Sequence, residues 1–370
     1  MKRAASSIMT FSWKRGVRPD EFISRMTSDF IGRIEQLAEA FGEPSDSVHE
    51  LLVSLVCSGL SLEGLARDGG SSVGNCAFLA SKAGQTSIGL EFLTALEAAY
   101  LDDSPNLAVN VAEAWFGVAL AKDLPSQPHD LVNRALQRLR ELALAHDTPK
   151  VRLQEARALR NGISMERDPD ERWRLAERLW ETQRPDDTDD IALERARGFY
   201  QCSLVESDLI RRETLVSRLG SVRETHNIDE IALLEANALY NLSSVSAASK
   251  WKEIAERIGR IRRDHDTPEI ALHEATAYNH YSHANRVSLE LTEQESIADH
   301  VAEMLQRHSS PEMAAQYAQA LLFLIAVQPA AEQRYSTALQ IDEIRVMFNT
   351  PDIADIATRA FIAAGPSTTQ

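Results

Sequence analysis

The sequence predicts an all-α protein, an α-solenoid of antiparallel helix pairs. Three observations predict it: an apolar anchor recurring about every forty residues, an apolar helical stripe upstream of each anchor, and a Ser/Thr–Pro junction between the two. Internal repetition is read first, because self-similarity at a period of roughly 20–50 residues decides the fold before any local pattern does. The anchors are Leu107, Val151, Ile191, Ile231, Ile270, Met313 and Ile353, spaced 39 to 44 residues apart.

Each anchor opens a helix with small residues at fixed places. Five residues on stand Ala112, Ala156, Ala196, Ala236, Ala275 and Ala318, broken only by Thr358 in the last copy. Seven residues on stand Ala114, Ala158, Gly198, Ala238, Ala277, Ala320 and Ala360. Small side chains let a neighbouring backbone approach closely, a contact that a stacked array needs in every unit.

A second helix precedes each anchor. Leu139, Leu179, Leu219, Ile258, Val301 and Ile341 lie twelve residues upstream, and further apolar residues such as Leu136, Leu175, Leu215, Ile254 and Ile297 precede them by three or four. That is the stripe of a helix facing a core. The junctions read DSP (103–105), HDTP (146–149), HDTP (265–268), HSSP (308–311) and NTP (349–351). Ser or Thr before Pro places an N-cap oxygen ahead of a residue whose missing N–H costs nothing in the first turn. Glu269 and Glu312 add negative charge at the positive end of the helix dipole. No sustained period-two alternation and no Asn-Gly hairpin signal appears.

Residues 1–19 form a basic arm, expected to be flexible, with Lys2, Arg3, Lys14, Arg15 and Arg18 beside Phe11 and Trp13. Residues 20–85 read as a divergent helical cap, 86–363 as the repeat array, and 364–370 as a disordered tail. The glycine cluster at 67–75 is a connection between helices; it lacks the GxxxxGK[ST] pattern and no apolar strand leads into it.

The paired helices, the small residues and the Pro at each junction resemble a tetratricopeptide-repeat α-solenoid over roughly residues 90–365. That family's usual unit is 34 residues with a Trp/Leu/Gly/Tyr pattern, whereas here the unit is about forty, with Trp115, Tyr200, Tyr240 and Tyr278 as the reminiscent aromatics. A longer prokaryotic variant or a HEAT-like array accounts for the spacing. The resemblance implies a right-handed superhelix whose anchor helices line the concave face and bind extended peptides.

Composition sets limits on function. The chain has 370 residues and a formal charge of −16, which disfavours RNA or DNA as a partner. No apolar run is long enough to cross a membrane, and the opening MKRAASSIMTFSW is too short and polar for a secretory signal. Cys57, Cys76 and Cys202 lie far apart, as expected of buried thiols in a reducing cytoplasm. No nucleophile elbow and no HExxH is present, so no catalytic residue and no cofactor is predicted.

Three polar patterns remain. His146, His226, His265 and His308 share the end of the upstream helix, where an imidazole meets the negative end of the dipole and exposed carbonyls. Arg138, Arg178, Arg218 and Arg257 share the position thirteen before the anchor, and Glu155, Glu194, Glu235 and Glu274 recur after it. Ion pairs between helices or between repeats are the expected result, weak where exposed, with a basic ligand-binding rail as the alternative. His280 and His283, one turn apart, are weak metal candidates, with His273 about 10 Å away along the helix.

The third pattern is the functional expectation. Offsets three, six and ten after the anchor form an exposed line opposite the buried positions, and its donor-bearing members are Arg157, Asn161, Arg197, Gln201, Asn237 and Asn241. By the resemblance, these six bind a protein or peptide partner, and the chain is a cytoplasmic, non-catalytic scaffold of unassigned oligomeric state. The alternative is a sensor domain that binds a small ligand or metal near His273–His283.

Overall fold

A computed structural model of the chain describes Ala112, Trp115, residues 128–286 and residues 288–365. The arm, the cap, the glycine cluster and the tail from 366 lie outside the described residues. Among the described residues there are twelve α-helices, one 3₁₀ turn and no strand. In order they are α1 (Pro128–Ala145), α2 (Pro149–Met165), α3 (Pro169–Glu181), α4 (Asp189–Val205), α5 (Leu209–Thr225) and α6 (Asp229–Ser243). The 3₁₀ turn Ala248–Lys250 precedes α7 (Trp251–Asp264), followed by α8 (Pro268–Ala284), α9 (Leu291–Arg307), α10 (Pro311–Val327), α11 (Ala331–Phe348) and α12 (Pro351–Ala364). The expected all-α succession of helix pairs is what these residues form.

The even-numbered helices are the anchor helices, and their starts follow the capping chemistry. Thr148, Thr267, Ser310 and Thr350 each accept, through the side-chain oxygen, the N–H of the anchor residue itself: Val151, Ile270, Met313 and Ile353. Pro occupies the first turn in all four. The NTP junction is one residue shorter than HDTP, and Asn349 closes α11 in the left-handed region at φ 42°, a conformation Asn tolerates better than most residues.

The chain divides into two compact units, Met1–Gln201 and Cys202–Gln370. In the first, α2 packs against α1 and α3. The opening turns of α4 then close on α2 and α3: a Cβ on Gly198 would stand 2.4 Å from Leu179 Cδ2, so only glycine permits that approach. Phe199 sits tilted against Trp180, ring centroids 6.0 Å apart. In the second unit each anchor helix packs on its own leading helix, on the next leading helix and on the next anchor helix. The anchors from 151 onward, the residues twelve upstream and the alanines at offset five from Ala156 to Ala318 are all buried.

The recurring acids form the expected ion pairs between helices and repeats, and the one correction is to their depth: they lie in the core. Glu155, Glu235 and Glu274 are buried. Each meets a basic side chain from the next pair at the position thirteen before its anchor: the guanidinium of Arg178 at 3.2 Å, that of Arg257 at 2.7 Å and the imidazole Nε2 of His300 at 2.7 Å. Glu235 and Glu274 also bind a cation from their own leading helix, Arg223 at 2.6 Å and Arg262 at 2.5 Å. Gly259 makes room for this ladder, since a Cβ there would lie 2.5 Å from Glu274 Oε1. Burial pushes the Glu155 carboxyl up even though Arg178 pulls it down.

The junction histidines need a second correction. His265 and His308 do cap helices, but their rings bind side chains of the preceding junction rather than free carbonyls. His265 Nδ1 lies 2.7 Å from Asp229 Oδ1 and its Nε2 2.7 Å from Asn227 Oδ1, while His308 Nε2 lies 2.8 Å from Asp266 Oδ1. A repeated motif that looked local therefore links one pair to the next.

Candidate interaction site

The line at offsets three, six and ten runs along the flank of the anchor helices rather than opposite the core. At 100° per residue these offsets fall at about 240–300° from the anchor, next to the buried arc. An anchor helix between two others keeps only a narrow open strip, so Gln154 and Glu194 at offset three are buried, while Arg157, Asn161, Arg197, Gln201, Asn237 and Asn241 are half-buried. The expectation of an exposed line is corrected accordingly.

In the first unit the line is charged. Glu194 on α4 faces three guanidiniums: Arg160 Nε at 2.8 Å, Arg197 Nη1 at 3.2 Å and Arg157 Nε at 3.8 Å. Arg160, at offset nine, was not singled out in the sequence; its contact emerges only when α2 and α4 are placed side by side. Gln201 Oε1 accepts a hydrogen bond of 2.5 Å from Ser164 Oγ. Asn161 Nδ2 is buried and meets no protein acceptor among the described residues. The structure thus brings together Arg157 and Arg197, adds Arg160, and keeps Gln201 and Asn161 along the same two helices.

In the second unit the line over α6 and α8 is amide-bearing and aromatic, and an arginine returns only in the last repeat at Arg359. Asn237 Oδ1 is bonded to His273 Nε2, and the His273 ring stacks on Tyr240 at 4.7 Å. Tyr240 also stacks at 6.4 Å on His280, which lies 5.3 Å from the Trp251 ring. Burial holds the pKa of both His273 and His280 below the ordinary value, the latter helped by the nearby His283. Trp251 Nε1 and His280 Nδ1 are buried without a partner among the described residues. Asn241 is half-buried beside this cluster in sequence, one turn after Asn237.

His280 and His283 are drawn to different surroundings, His283 lying against Phe323 at 5.8 Å. Among the described residues no group of three or more His, Cys, Asp or Glu is arranged to hold a metal ion. No described helix is long and apolar enough to cross a membrane.

No family model matches the chain, and no curated protein matches it. Among solved structures, the crystal structure of the P58(IPK) TPR domain is similar at 12% sequence identity, with 88% of this chain and 99% of that chain covered and a TM-score of 0.27. At that level of superposition no argument passes from one molecule to the other, and the helix-pair architecture stands on the packing of this chain's own residues.

Proposed function

We propose that the chain is a non-catalytic, cytoplasmic interaction module that holds an extended peptide of a partner protein along the line of its anchor helices. One observation carries this reading: offsets six and ten present long or amide-bearing side chains that are half-open to solvent and outside the core. Arg157 and Arg197 keep 38% and 43% of their side-chain surface exposed. Each repeat buries only its neighbours' faces, so within each unit such a line follows the anchor helices and suits an elongated ligand. Arg157, Asn161, Arg197, Gln201, Asn237 and Asn241 are the proposed contacts.

The test is the triple variant Arg157→Ala/Arg197→Ala/Asn241→Ala. Arg160 still neutralises Glu194 in it, so helical content and melting stay close to the parent. Peptides retained by the parent from a displayed random library are expected to be bound at least tenfold more weakly, since a charge-assisted hydrogen bond contributes roughly 1.5–3 kcal/mol. Unchanged retention by a folded variant would move the site to another face.

A second reading, a small-ligand sensor, is favoured by one observation in the other unit: the unpartnered Trp251 Nε1 and His280 Nδ1 on adjoining rings. A zinc or nickel titration tests its metal form, and melting in the presence of a panel of planar polar compounds tests the rest. A Trp251→Phe variant that loses any stabilisation seen with the parent would support it.

A further inference from the structure

We infer that the arginines around Glu194 form a receptor for a phosphoryl group carried on the bound peptide, so that the partner is recognised in its phosphorylated form. This rests on the peptide-binding reading above and names the chemistry of its ligand. Three cations surround one carboxylate, which leaves a local surplus of two positive charges on a chain whose formal charge is −16. Such a surplus on an acidic protein is not needed to balance the fold.

The geometry shows where that surplus points. Glu194 lies within ion-pair distance of all three guanidiniums, Oε1 facing Arg157 and Arg197 and Oε2 facing Arg160, and of these contacts only that from Arg197 has hydrogen-bond geometry. Arg157 and Arg160 approach Glu194 with Nε as the facing atom. A guanidinium offers five N–H donors in a planar fork that fits two oxygens at once. Glu194 is 9% exposed and acts as the floor, while the three arginines are 38%, 24% and 43% exposed and form the open rim. The buried, unpartnered Asn161 Nδ2 adds a further donor on the same helix as Arg157 and Arg160.

Charge selects among anions. A peptide carboxylate carries one negative charge and would leave one guanidinium uncompensated. A phosphate monoester carries about −1.5 to −2 at pH 7 and three acceptor oxygens, which matches the surplus and the number of forks. A nucleic acid presents the same phosphorus chemistry as a polyanion, and the acidic chain as a whole repels it.

The experiment uses the full chain and three libraries of one design, with a fixed phosphoserine, serine or aspartate at the centre, together with inorganic phosphate in a separate titration. The phosphoserine library is expected to be retained at least tenfold more than either of the others. Arg157→Lys/Arg197→Lys keeps the charge but loses the forks and is expected to cut that preference severalfold, with circular dichroism confirming the fold. Glu194→Gln raises the surplus to three and is expected to tighten phosphoserine binding. Equal retention of all three libraries would overturn the phosphoryl inference and leave the peptide-binding reading intact. Binding of inorganic phosphate with no library retained would overturn both, and a Glu194→Gln variant that binds phosphoserine more weakly would overturn the assignment of the site.

Discussion

The two units carry the same register of positions and fill it with opposite chemistry. In Met1–Gln201 the line beside the anchors is ionic, with Arg157, Arg160 and Arg197 about Glu194. In Cys202–Gln370 the same offsets on α6 and α8 hold Asn237, His273 and His280, packed with Tyr240 and Trp251, and charge returns only at Arg359 in the last repeat. The scaffold beneath is alike in both: buried anchors, buried alanines at offset five and a buried glutamate four residues after the anchor in Glu155, Glu235 and Glu274. The difference teaches which positions hold the fold and which are free to acquire a ligand. Offsets zero and seven are buried in every described repeat, and offset five in all but the last, where Thr358 is exposed; offsets three, six and ten reach the neighbouring anchor helix at Glu194, Gln201 and His273 through side-chain ends that can be exchanged.

That division is broken most sharply by removing a ladder carboxylate. Glu235→Ala strands Arg223 and Arg257, which both address it, and loss of one partner of a buried ion pair typically costs about 3–5 kcal/mol. The value should fall near the lower end, because Arg257 is 31% exposed and can turn to solvent. Urea denaturation of parent and variant measures it. A loss comparable to that of Glu194→Gln, a line position, would erase the distinction between scaffold and line.

The next effect is steric. Ala277 and Ala236 are fully buried at offsets seven and five. Leucine at either place must push packed helices apart, for a cost of about 1–3 kcal/mol. Melting by circular dichroism reports it, and a melting temperature equal to the parent's would remove these residues from the contact between helices.

The scaffold was legible in the sequence because its signals are local or strictly periodic. The N-cap oxygens of Thr148, Thr267, Ser310 and Thr350 act within three residues, and the anchors repeat at one place in every unit. The burial of Glu155, Glu235 and Glu274 was not legible, because a glutamate on a helix is buried only when the next pair supplies a cation and a gap. Gly259 and Gly220, eleven residues before their anchors, are the trace of that gap; each would bring a Cβ to within about van der Waals contact or closer of a ladder side chain. The histidines failed for the same reason: His265 and His308 bind Asp229 and Asp266, some forty residues earlier. The line itself was found, but its exposure was overstated, since helical angle alone omits the two flanking anchor helices.

The smallest expected effect separates the two lines by pH. His273 and His280 both have their folded-state pKa held below the ordinary value of 6.5, by burial first; Glu269 opposes this at His273 and His283 adds to it at His280. A base whose folded pKa is depressed is most stabilising when neutral, above its unfolded pKa. As pH falls through about 6.5 the unfolded chain takes up protons that the folded chain refuses, so stability declines toward the lower folded-state pKa. The measurement is a difference: urea denaturation at pH 7.5 and 5.5 for the parent and for His273→Gln/His280→Gln. The contributions of His265, His300 and His308, which face Asp229, Glu274 and Asp266, cancel in it. The parent should lose more stability than the variant on acidification, and the C2-proton shifts of the two rings should titrate with midpoints below 6.5. A parent that gains stability relative to the variant at pH 5.5 would mean that these rings are charged in the fold, and the neutral state assigned to them would be wrong.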